Sequence, residues 1–441
     1  MKKEMLHLKL CVIGLGYIGL PTAVMFAKHG VTVHGVDINP NIVAKLAGGQ
    51  IHIEEPGLQE MLDEVIESQH LSFGASPEQA DAFIISVPTP INSDKTANVD
   101  YVIDATHSIV PYLKKGDLVI LESTVPPRTI EDVVLPILKE TGLNINRDLF
   151  VSHSPERVLP GRLLEELVEN DRIVGGINQE SSERTAELYR RFVKGNIHLT
   201  DATTAEMVKL MENTYRDVNI AFANEMAKIA EYVGFNVWEA IELANCHPRV
   251  NIHKPGPGVG GHCIAVDPWF IYESAPSLAN LVHISRTTND GMPEFVVNKM
   301  KELLTSSEHS NKTIAVLGLA FKGNIDDMRE SPAVEVIKLL RGQYTLQIFD
   351  PHVKDEIEGR KETLAEAAKN ADAILILTDH NEFRTINPVE IKSLVRGNIV
   401  FDTRNVVDHA LWSRAGFEHY VLGQPLNNFD KTGSGYIETA R

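Results

Sequence analysis

Short apolar runs, each bounded by glycines or polar turns, recur along the first third of the chain. They occupy residues 8–13, 31–36, 82–87, 118–121 and 149–152. Continuous apolar runs of this length are typical of parallel strands that are covered by helices on both faces. A helix-like stretch at residues 20–28 separates the first two runs. The pattern predicts an open parallel sheet and a protein of the α/β class.

From residue 203 the pattern becomes helical. Apolar residues recur at steps of three and four positions to about residue 233, and no glycine or proline occurs before Gly234. We expect this unusually long helix to join two domains and to carry a subunit interface. Lys209, Asn213 and Arg216 share one of its faces. That face is either solvated or belongs to a site.

A strand–helix–strand pattern returns after a polar linker that starts near Thr305. Strand-like runs at residues 313–317 and 346–349 flank a helix-like segment at 333–341, and further runs lie at 373–377 and 399–401. The chain beyond about Phe429 is polar, and we expect a loose tail there. The patterns predict three domains: an N-terminal Rossmann domain at 1–202, a central helical domain at 203–304, and a C-terminal Rossmann-like domain at 305–441.

Composition narrows the class of protein. The chain has 441 residues, of which 43% are hydrophobic and 23% charged, as in globular proteins. Its formal charge of −18 argues against nucleic acid or an anionic membrane as a partner. Its three cysteines fit a reducing cytoplasm without disulfides. The apolar run at 10–27 could pass for a membrane span, but three glycines and Pro21 interrupt it.

The first strand-like run leads into a glycine fingerprint. Gly14, Gly16 and Gly19 have the G-x-G-x-x-G spacing, and the second strand ends at Asp37. This order predicts a dinucleotide site in which the acid binds the ribose hydroxyls. No arginine follows Asp37, so we favour NAD over NADP. Thr89 follows a later strand and Thr124 another, at the sheet edge along which the cofactor would pass.

A second candidate for chemistry is the segment PGPGVGGHCIAVDP at residues 255–268. Its glycines and prolines prevent regular structure and lead to Cys263, with Asp267 four positions later. The segment is either a glycine-lined loop that presents a thiol nucleophile or a surface loop with a small apolar cysteine.

Polar residues elsewhere suggest contacts to an anionic ligand. Glu156 and Arg157 lie in a turn after a strand, where Glu156 could equally be an ordinary loop carboxylate. Five cysteines and histidines near the glycine-rich segment could bind zinc, but they do not have zinc-finger spacing. We therefore favour His247 and Arg249 as contacts to an anionic substrate. Those possible ligands are Cys246, His247, His253, His262 and Cys263. In the C-terminal segment, which lacks the glycine fingerprint, the cations suit a phosphate-bearing ligand other than NAD. These cations are Lys322, Arg329 and Arg404.

Taken in order, the motifs resemble those of the UDP-glucose/GDP-mannose dehydrogenase family. They are GLGYIGLP, VPTP, ESTVPP, SPERVLPG, AEMVKLMENTYR, GPGVGGHCIAVDP, GLAFK and DTRN, and they extend to about residue 426. The resemblance implies oxidation of a sugar C6 alcohol to a carboxylate with two NAD and one water. HPRVN and GGHCIAVDPWF look most like the branch that acts on UDP-N-acetylmannosamine. UDP-N-acetylglucosamine and UDP-glucose remain alternatives, although His262 stands where the UDP-glucose enzymes usually have serine.

The resemblance also implies roles for individual residues. Cys263 would form a thiohemiacetal and then a thioester. Lys209 would stabilise the oxyanion or exchange protons, with Asn213 as a second donor. Asp267, Glu156 and Thr124 would assist proton transfer and water activation. The implied catalytic residues are Cys263, Lys209, Asp267, Asn213, Glu156 and Thr124. The implied cofactor contacts are Gly14, Gly16, Tyr17, Ile18, Gly19, Asp37, Thr89, Thr124 and Arg329. The implied substrate contacts are Glu156, Arg157, Val158, Lys209, Asn213, Arg216, His247, Arg249, Gly261, Phe321, Lys322 and Arg404.

Within that set, Lys322 and Arg404 would hold the diphosphate. Arg249 would reach the substrate of a neighbouring subunit, so we expect at least a homodimer. Two other classes of protein remain open: a two-electron hydroxyacid dehydrogenase of the 6-phosphogluconate type, and a non-catalytic NAD sensor. The first leaves Cys263 unexplained. The second leaves the combination of Cys263, Lys209 and Asp267 without a use.

Overall fold

The computed structural model describes residues 8–159, 161–305 and 311–425. The chain forms two compact units. The first unit comprises Met1–Asn213 and Val266–Ala279, and the second comprises Thr214–Ala265 and Asn280–Arg441. The predicted tail beyond Phe429 and most of the predicted linker after Thr305 lie outside the described residues. The three predicted domain boundaries stay a prediction.

The first unit is built on an eight-stranded sheet. Its strands are β1 (Lys9–Ile13), β2 (Thr32–Val36), β3 (Leu71–Gly74), β4 (Ala82–Ile85), β5 (Leu118–Leu121), β6 (Phe150–His153), β7 (Arg172–Gly176) and β8 (Ile197–Asp201). Their order is β3-β2-β1-β4-β5-β6-β7-β8, parallel except where β7 runs antiparallel to β6. The first six strands therefore follow the dinucleotide-binding order 3-2-1-4-5-6.

The helices of the chain follow in sequence order. They are α1 (Gly19–Lys28), α2 (Pro40–Ala47), α3 (Leu58–Glu67), α4 (Asp100–Ile109), α5 (Leu135–Leu138), α6 (Leu163–Glu169), α7 (Gln179–Tyr189), α8 (Ala202–Val233), α9 (Val237–Asn245), α10 (Asp267–Ser274), α11 (Asn280–Asp290), α12 (Met292–Leu304), α13 (Pro332–Leu340), α14 (Leu364–Ala368), α15 (Asn381–Arg384), α16 (Pro388–Leu394) and α17 (His409–Arg414). Short 3₁₀ turns lie at Val110–Tyr112 and Lys139–Thr141, and a π-helical turn lies at Ile130–Val134.

Apolar cores cover both faces of the first sheet. Leu10 and Val12 of β1 belong to one core, and Cys11 and Ile13 belong to the other. This alternation is the two-residue period of a strand, and burial on both sides explains why β1 reads as a continuous apolar run. Cys11 is a buried apolar residue of this core.

The predicted long helix is present as α8, which has 32 residues and a length of about 48 Å. The boundary between the two units falls inside it, at Asn213. Its first part packs in the first unit, where Leu210 contacts Val266 and Phe270 at the start of α10. No helix among the described residues is long and apolar enough to cross a membrane.

The second unit contains a five-stranded parallel sheet. Its strands are β9 (Thr313–Leu317), β10 (Thr345–Phe349), β11 (Ala373–Ile376), β12 (Ile399–Asp402) and β13 (Glu418–Val421), in the order β10-β9-β11-β12-β13. Apolar cores again cover both faces: Val316 lies in one and Ala315 in the other. The predicted α/β class, with Rossmann-type sheets at both ends and a helical middle, is confirmed.

Candidate active site

The glycine turn of the first unit is shaped by close backbone packing. Gly14 has φ 91°, and a Cβ there would overlap the carbonyl oxygen of Ser86, so only glycine fits. A Cβ at Gly19 would overlap the carbonyl oxygen of Gly14. A Cβ at Gly16 would meet no atom within 4 Å among the described residues. The turn is therefore closed around Gly14 and Gly19 and open at Gly16, where a pyrophosphate could approach.

Asp37 lies beside this turn at the end of β2. Its Oδ2 accepts a hydrogen bond from the Leu15 amide (3.1 Å) and its Oδ1 accepts one from the Asn39 amide (2.8 Å). Each oxygen keeps a lone pair for a ribose hydroxyl, because a carboxylate can accept about four hydrogen bonds. No cation follows in sequence, and Ile38 is largely exposed.

The strand ends supply further groups near the expected path of a dinucleotide. The Thr89 hydroxyl is buried without a hydrogen-bond partner among the described residues, which fits a group awaiting a ligand. Thr124 is half-buried after β5, Tyr17 is exposed and Ile18 is half-buried. Three features of the first unit thus fit a bound dinucleotide: the glycine turn, the Asp37 carboxylate, and the Thr89 hydroxyl that has no partner among the described residues.

A buried ion network surrounds Glu156. Arg172 donates to the Glu156 carboxylate (2.5 Å), to the Ser154 hydroxyl (3.1 Å) and to Glu122 (3.4 Å). The Tyr189 hydroxyl donates to Glu122 (2.5 Å), and burial raises the pKa of Glu122 to about 7 against the charge of Arg172. Glu156 is therefore held in place by a buried guanidinium, and an ordinary loop carboxylate would lack such a partner.

The neighbours of Glu156 in sequence are less buried. The Arg157 amide donates to the Glu156 carboxylate (2.7 Å), and the Arg157 guanidinium pairs with Glu212 (2.6 Å). Val158 is half-buried.

Asp267 and Asn213 form a second buried pair in the first unit. The Asn213 amide donates to Asp267 Oδ2 at 2.6 Å. Burial raises the pKa of Asp267 to about 7, although the hydrogen bond from Asn213 and the nearby charge of Lys209 lower it. A carboxyl group that titrates near neutrality suits general acid–base catalysis. The predicted group of Lys209, Asn213 and Asp267 is thus brought together, while Arg216 lies exposed further along α8.

The segment 255–268, the cysteine loop, belongs to the second unit as far as Ala265. A Cβ at Gly261, where φ is 86°, would lie 2.9 Å from the Phe321 ring, and a Cβ at Gly260 would lie 2.8 Å from Phe321 Cβ. A Cβ at Gly256 would overlap the Arg404 guanidinium. The glycines thus let the loop backbone pack on Phe321 and Arg404, and Cys263 is exposed in the turn that follows.

The expected phosphate-binding cations lie on the same unit. Arg404 donates to Asp379 (3.2 Å), and its amide donates to Asp402 (2.9 Å). Lys322 is exposed and forms no ion pair with any residue in the described part of the chain. Lys322 thus remains available for a phosphate.

His262, the residue before Cys263, also has charged neighbours. His262 Nε2 lies 3.9 Å from Asp327, which pairs with Arg329 (2.7 Å). Burial and the charge of Arg329 lower the pKa of His262. We therefore treat His262 as a neutral neighbour of the thiol.

Two further predicted substrate contacts follow α9. His247 and Arg249 are exposed in the segment after α9. Among the described residues, the side chains close enough to share a metal ion are His352, His380 and Glu382, and the segment 245–263 contributes none of them. Both nitrogens of His380 are engaged, with the Asn324 amide (2.9 Å) and with Asp350 (2.9 Å).

The structure adds groups that the sequence analysis did not single out. Arg172, Glu122 and Tyr189 surround Glu156, yet Arg172 lies 16 positions from Glu156 and 50 from Glu122. The pairing therefore had no spacing signal in the sequence. The position of Glu122 in the ESTVPP motif, directly after a strand, was the one available hint.

Three family models match the chain in order. The NAD binding domain of the UDP-glucose/GDP-mannose dehydrogenase family matches residues 8–193, its central domain matches 203–291, and its UDP binding domain matches 315–409. The chain belongs to this family.

Similar proteins cover nearly the whole chain. A UDP-N-acetyl-D-mannosamine dehydrogenase of Methanococcus maripaludis is 49% identical over 94% of this chain and 97% of its own. An NDP-N-acetyl-D-galactosaminuronic acid dehydrogenase of Ralstonia nicotianae is 45% identical over 90% of this chain and 95% of its own. The solved structure of a UDP-D-ManNAc dehydrogenase from Pyrococcus horikoshii is 43% identical, has a TM-score of 0.90, and covers 95% of this chain and 100% of its own.

These findings confirm the predicted family, enzyme class and cofactor. The chain is an NAD-dependent UDP-sugar dehydrogenase, whose cofactor is NAD and whose substrate class is the UDP-sugars.

Proposed function

We propose that the chain oxidises the C6 alcohol of UDP-N-acetylmannosamine to the carboxylate, with Cys263 as covalent nucleophile. The observation that carries the covalent step is the exposed thiol of Cys263 on a glycine loop packed against Phe321 and Arg404. Two-electron oxidation of an alcohol needs no thiol, whereas oxidation of an aldehyde to an acid gains from one.

The proposed reaction has four steps: an oxidation, a thiol addition, a second oxidation and a hydrolysis. The alcohol loses two electrons and two hydrogens and becomes an aldehyde. The Cys263 sulfur then gives up its proton and bonds to C6, the π bond of the carbonyl opens, and the aldehyde oxygen takes up a proton. The resulting thiohemiacetal loses two electrons and two hydrogens and becomes a thioester. Water then attacks C6 and loses both its protons, the C–S bond breaks, and the thiolate and the sugar carboxylate separate. NAD, when bound, supplies the electron acceptor for both oxidations.

The polar residues of the first unit serve the proton transfers. Asp267, with its pKa near 7, accepts a proton from the alcohol or from the attacking water. Lys209 and Asn213 stabilise the oxyanion that forms at each carbonyl stage. Glu156 and Thr124 assist water activation. The buried Arg172 fixes the Glu156 carboxylate for this role.

The second unit supplies contacts to the nucleotide and the sugar. Lys322 and Arg404 bind the diphosphate, because both place a cation beside the turn after a strand of a nucleotide-type sheet. Phe321, whose ring packs against Gly261, contacts the substrate together with that glycine. The remaining substrate contacts are assigned to Arg157, Val158, Arg216 and His247, and Arg329 is assigned to the cofactor.

The choice of sugar rests on the relatives. The 49% identical relative is named for UDP-N-acetylmannosamine, and the 45% identical relative for an N-acetylgalactosamine-derived acid. The second candidate activity is therefore oxidation of another UDP-N-acetylhexosamine, with UDP-N-acetylglucosamine and UDP-N-acetylgalactosamine as the cases to compare. UDP-glucose, which lacks the N-acetyl group, is the least favoured substrate.

A substrate panel tests the proposed sugar. Each of the four UDP-sugars is incubated with NAD, and the acid product is identified by mass spectrometry. We expect kcat/KM for UDP-N-acetylmannosamine to exceed that for each of the others by at least about tenfold, equivalent to about 1.4 kcal/mol. A higher value for another UDP-N-acetylhexosamine would move the assignment to that sugar without affecting the chemistry.

We further propose that the active form is a cytoplasmic homodimer. Met211, Tyr215, Phe222, Ile229 and Val233 are exposed and recur along one face of α8, an apolar stripe that a second copy would bury. Arg249 enters the partner's site. Mixing inactive Cys263→Ala and Arg249→Ala chains should therefore restore a fraction of the activity, and confirmed subunit exchange without activity would contradict the shared site.

A further inference from the structure

A buried polar network links two helices of the second unit. Asp217 and Asn224 lie on α8, Arg286 and Asn289 lie on α11, and all four are buried. Arg286 Nη1 donates to Asp217 Oδ1. The Asn289 amide donates to Asp217 Oδ1 (2.8 Å), and the Asn224 amide donates to Asn289 Oδ1 (2.8 Å). The network is continuous from Arg286 to Asn224.

Both ends of this network bind the backbone of the cysteine loop. At one end, the Gly256 amide donates to Asn224 Oδ1 (2.9 Å). At the other end, Arg286 Nη1 donates to the carbonyl oxygen of Ile264 (3.3 Å), the residue directly after Cys263. The segment between these two bonds is rich in glycine and lies outside helices and strands. Its conformation therefore depends on contacts with the rest of the unit.

All three nitrogen atoms of the Arg286 guanidinium donate hydrogen bonds. Nε and Nη2 donate to Asp290 Oδ1 (3.2 and 3.0 Å), while Nη1 serves Asp217 and Ile264. Burial raises the pKa of Asp217 to about 6, although the charge of Arg286 lowers it. Burying two charges is costly, and an apolar pair would often give equal or greater stability. A lysine could not reach all three acceptors, because its donors sit on one atom.

We propose that Arg286 is a positioning residue for the thiol. It fixes the backbone on the C-terminal side of Cys263, Asn224 fixes the start of the loop, and the thiol is thereby held where it meets the aldehyde. This proposal rests on the proposed role of Cys263. Arg286 and Asn224 act through the loop backbone and are assigned no contact with a reacting atom. Loss of the Arg286 contacts should therefore slow the second oxidation, which depends on the thiol, more than the first.

The test compares Arg286→Lys with Arg396→Lys. The control changes another arginine of the same unit that pairs with a buried aspartate: Arg396, which is half-exposed, donates to Asp372 (2.8 Å). Single-turnover formation of the first and second NADH per site is followed with UDP-N-acetylmannosamine and NAD. Amide hydrogen exchange is measured at residues 255–265, and Tm is measured for each variant.

In Arg286→Lys we expect the first NADH to form within about twofold of the wild-type rate and the second to slow by ~10–100-fold. Exchange at 255–265 should quicken, with the strands of the second unit unchanged. Arg396→Lys should leave both phases unchanged. Equal slowing of the two phases, or a lower Tm with wild-type kinetics, would show a merely structural role and overturn the proposal.

Two further variants distinguish a failure of the positioning role from a failure of the proposed function. Should Arg286→Lys fail to fold, Asn224→Ala removes the bond to Gly256 and should give the same split between the phases. A Cys263→Ala chain that still forms acid at the wild-type rate would refute the nucleophile, and the positioning role with it. An inactive Cys263→Ala chain beside a wild-type second phase in Arg286→Lys would refute the positioning role alone.

Discussion

The two sheets of the chain carry an aspartate at the same place and use it differently. Asp37 follows β2 and Asp350 follows β10, and each accepts a hydrogen bond from the residue after a positive-φ glycine, Leu15 or Leu319. Each also accepts one from the amide two positions later. Up to this point the two turns are equivalent.

Asp350 differs because the protein occupies its remaining lone pairs. It also accepts hydrogen bonds from the amides of Ala320 (3.2 Å) and Val353 (2.9 Å) and from His380 Nε2 (2.9 Å). Burial alone would raise the pKa of Asp350, but the hydrogen bonds from His380, Val353 and Leu319 hold it well below the usual range. Asp350 is a structural group, whereas Asp37 can still accept a ribose hydroxyl. An acid at a strand end therefore predicts a dinucleotide only when its oxygens remain free.

Replacing each aspartate in turn is the sharpest test of this difference. Asp37→Asn should reduce the preference for NAD over NADP by ~10–100-fold, because the charge that repels a 2′-phosphate is lost. Asp350→Asn should leave the preference unchanged and lower the free energy of unfolding by about 2–4 kcal/mol, because an amide donor would face backbone donors. Kinetics with both cofactors and urea unfolding measure the two effects. A changed cofactor preference in Asp350→Asn would break the comparison.

The cations of the second sheet give the next largest effect. Lys322→Ala should raise KM for the UDP-sugar by ~10–30-fold, the loss of one charge-assisted hydrogen bond, while KM for NAD stays the same. Lys338→Ala is the matched control, because Lys338 is an exposed lysine on α13 of the same unit. A larger effect on NAD than on the UDP-sugar would contradict the division of ligands between the sheets.

The effect of the acid–base group depends on pH and appears in the pH profile. Asp267 must be ionised to accept a proton, and its pKa is about 7, so kcat should fall about tenfold for each pH unit below that value. Asp267→Asn should be slower and should lose this acidic limb between about pH 5.5 and about pH 7. A limb that persists unchanged in Asp267→Asn would assign it to another group.

The sequence predicted those parts of the fold whose signal is local. Strands β5 and β9 have the predicted bounds, because β5 is fully apolar and β9 is apolar after Thr313. Strands β3, β7, β8 and β13 were missed: β3 and β8 carry polar, exposed residues, and a pattern that relies on continuous apolar runs does not detect them. The glycine loop and Cys263 were recognisable because special backbone conformations need glycine.

The networks behind the site could not be predicted in the same way. Arg286 lies 69 positions from Asp217 in a helix with an ordinary amphipathic pattern. Arg172 is one polar residue at the start of a short strand. Buried ion pairs have no periodicity, and their partners are set by the tertiary fold.

Counting NADH per UDP-sugar consumed tests the central claim most directly. The claim is that one enzyme carries out both oxidations through Cys263. The wild-type chain should form two NADH and one sugar carboxylate per UDP-N-acetylmannosamine, and Cys263→Ala should form no carboxylate while still binding NAD. One NADH per substrate in the wild type, or undiminished carboxylate in Cys263→Ala, would contradict the account.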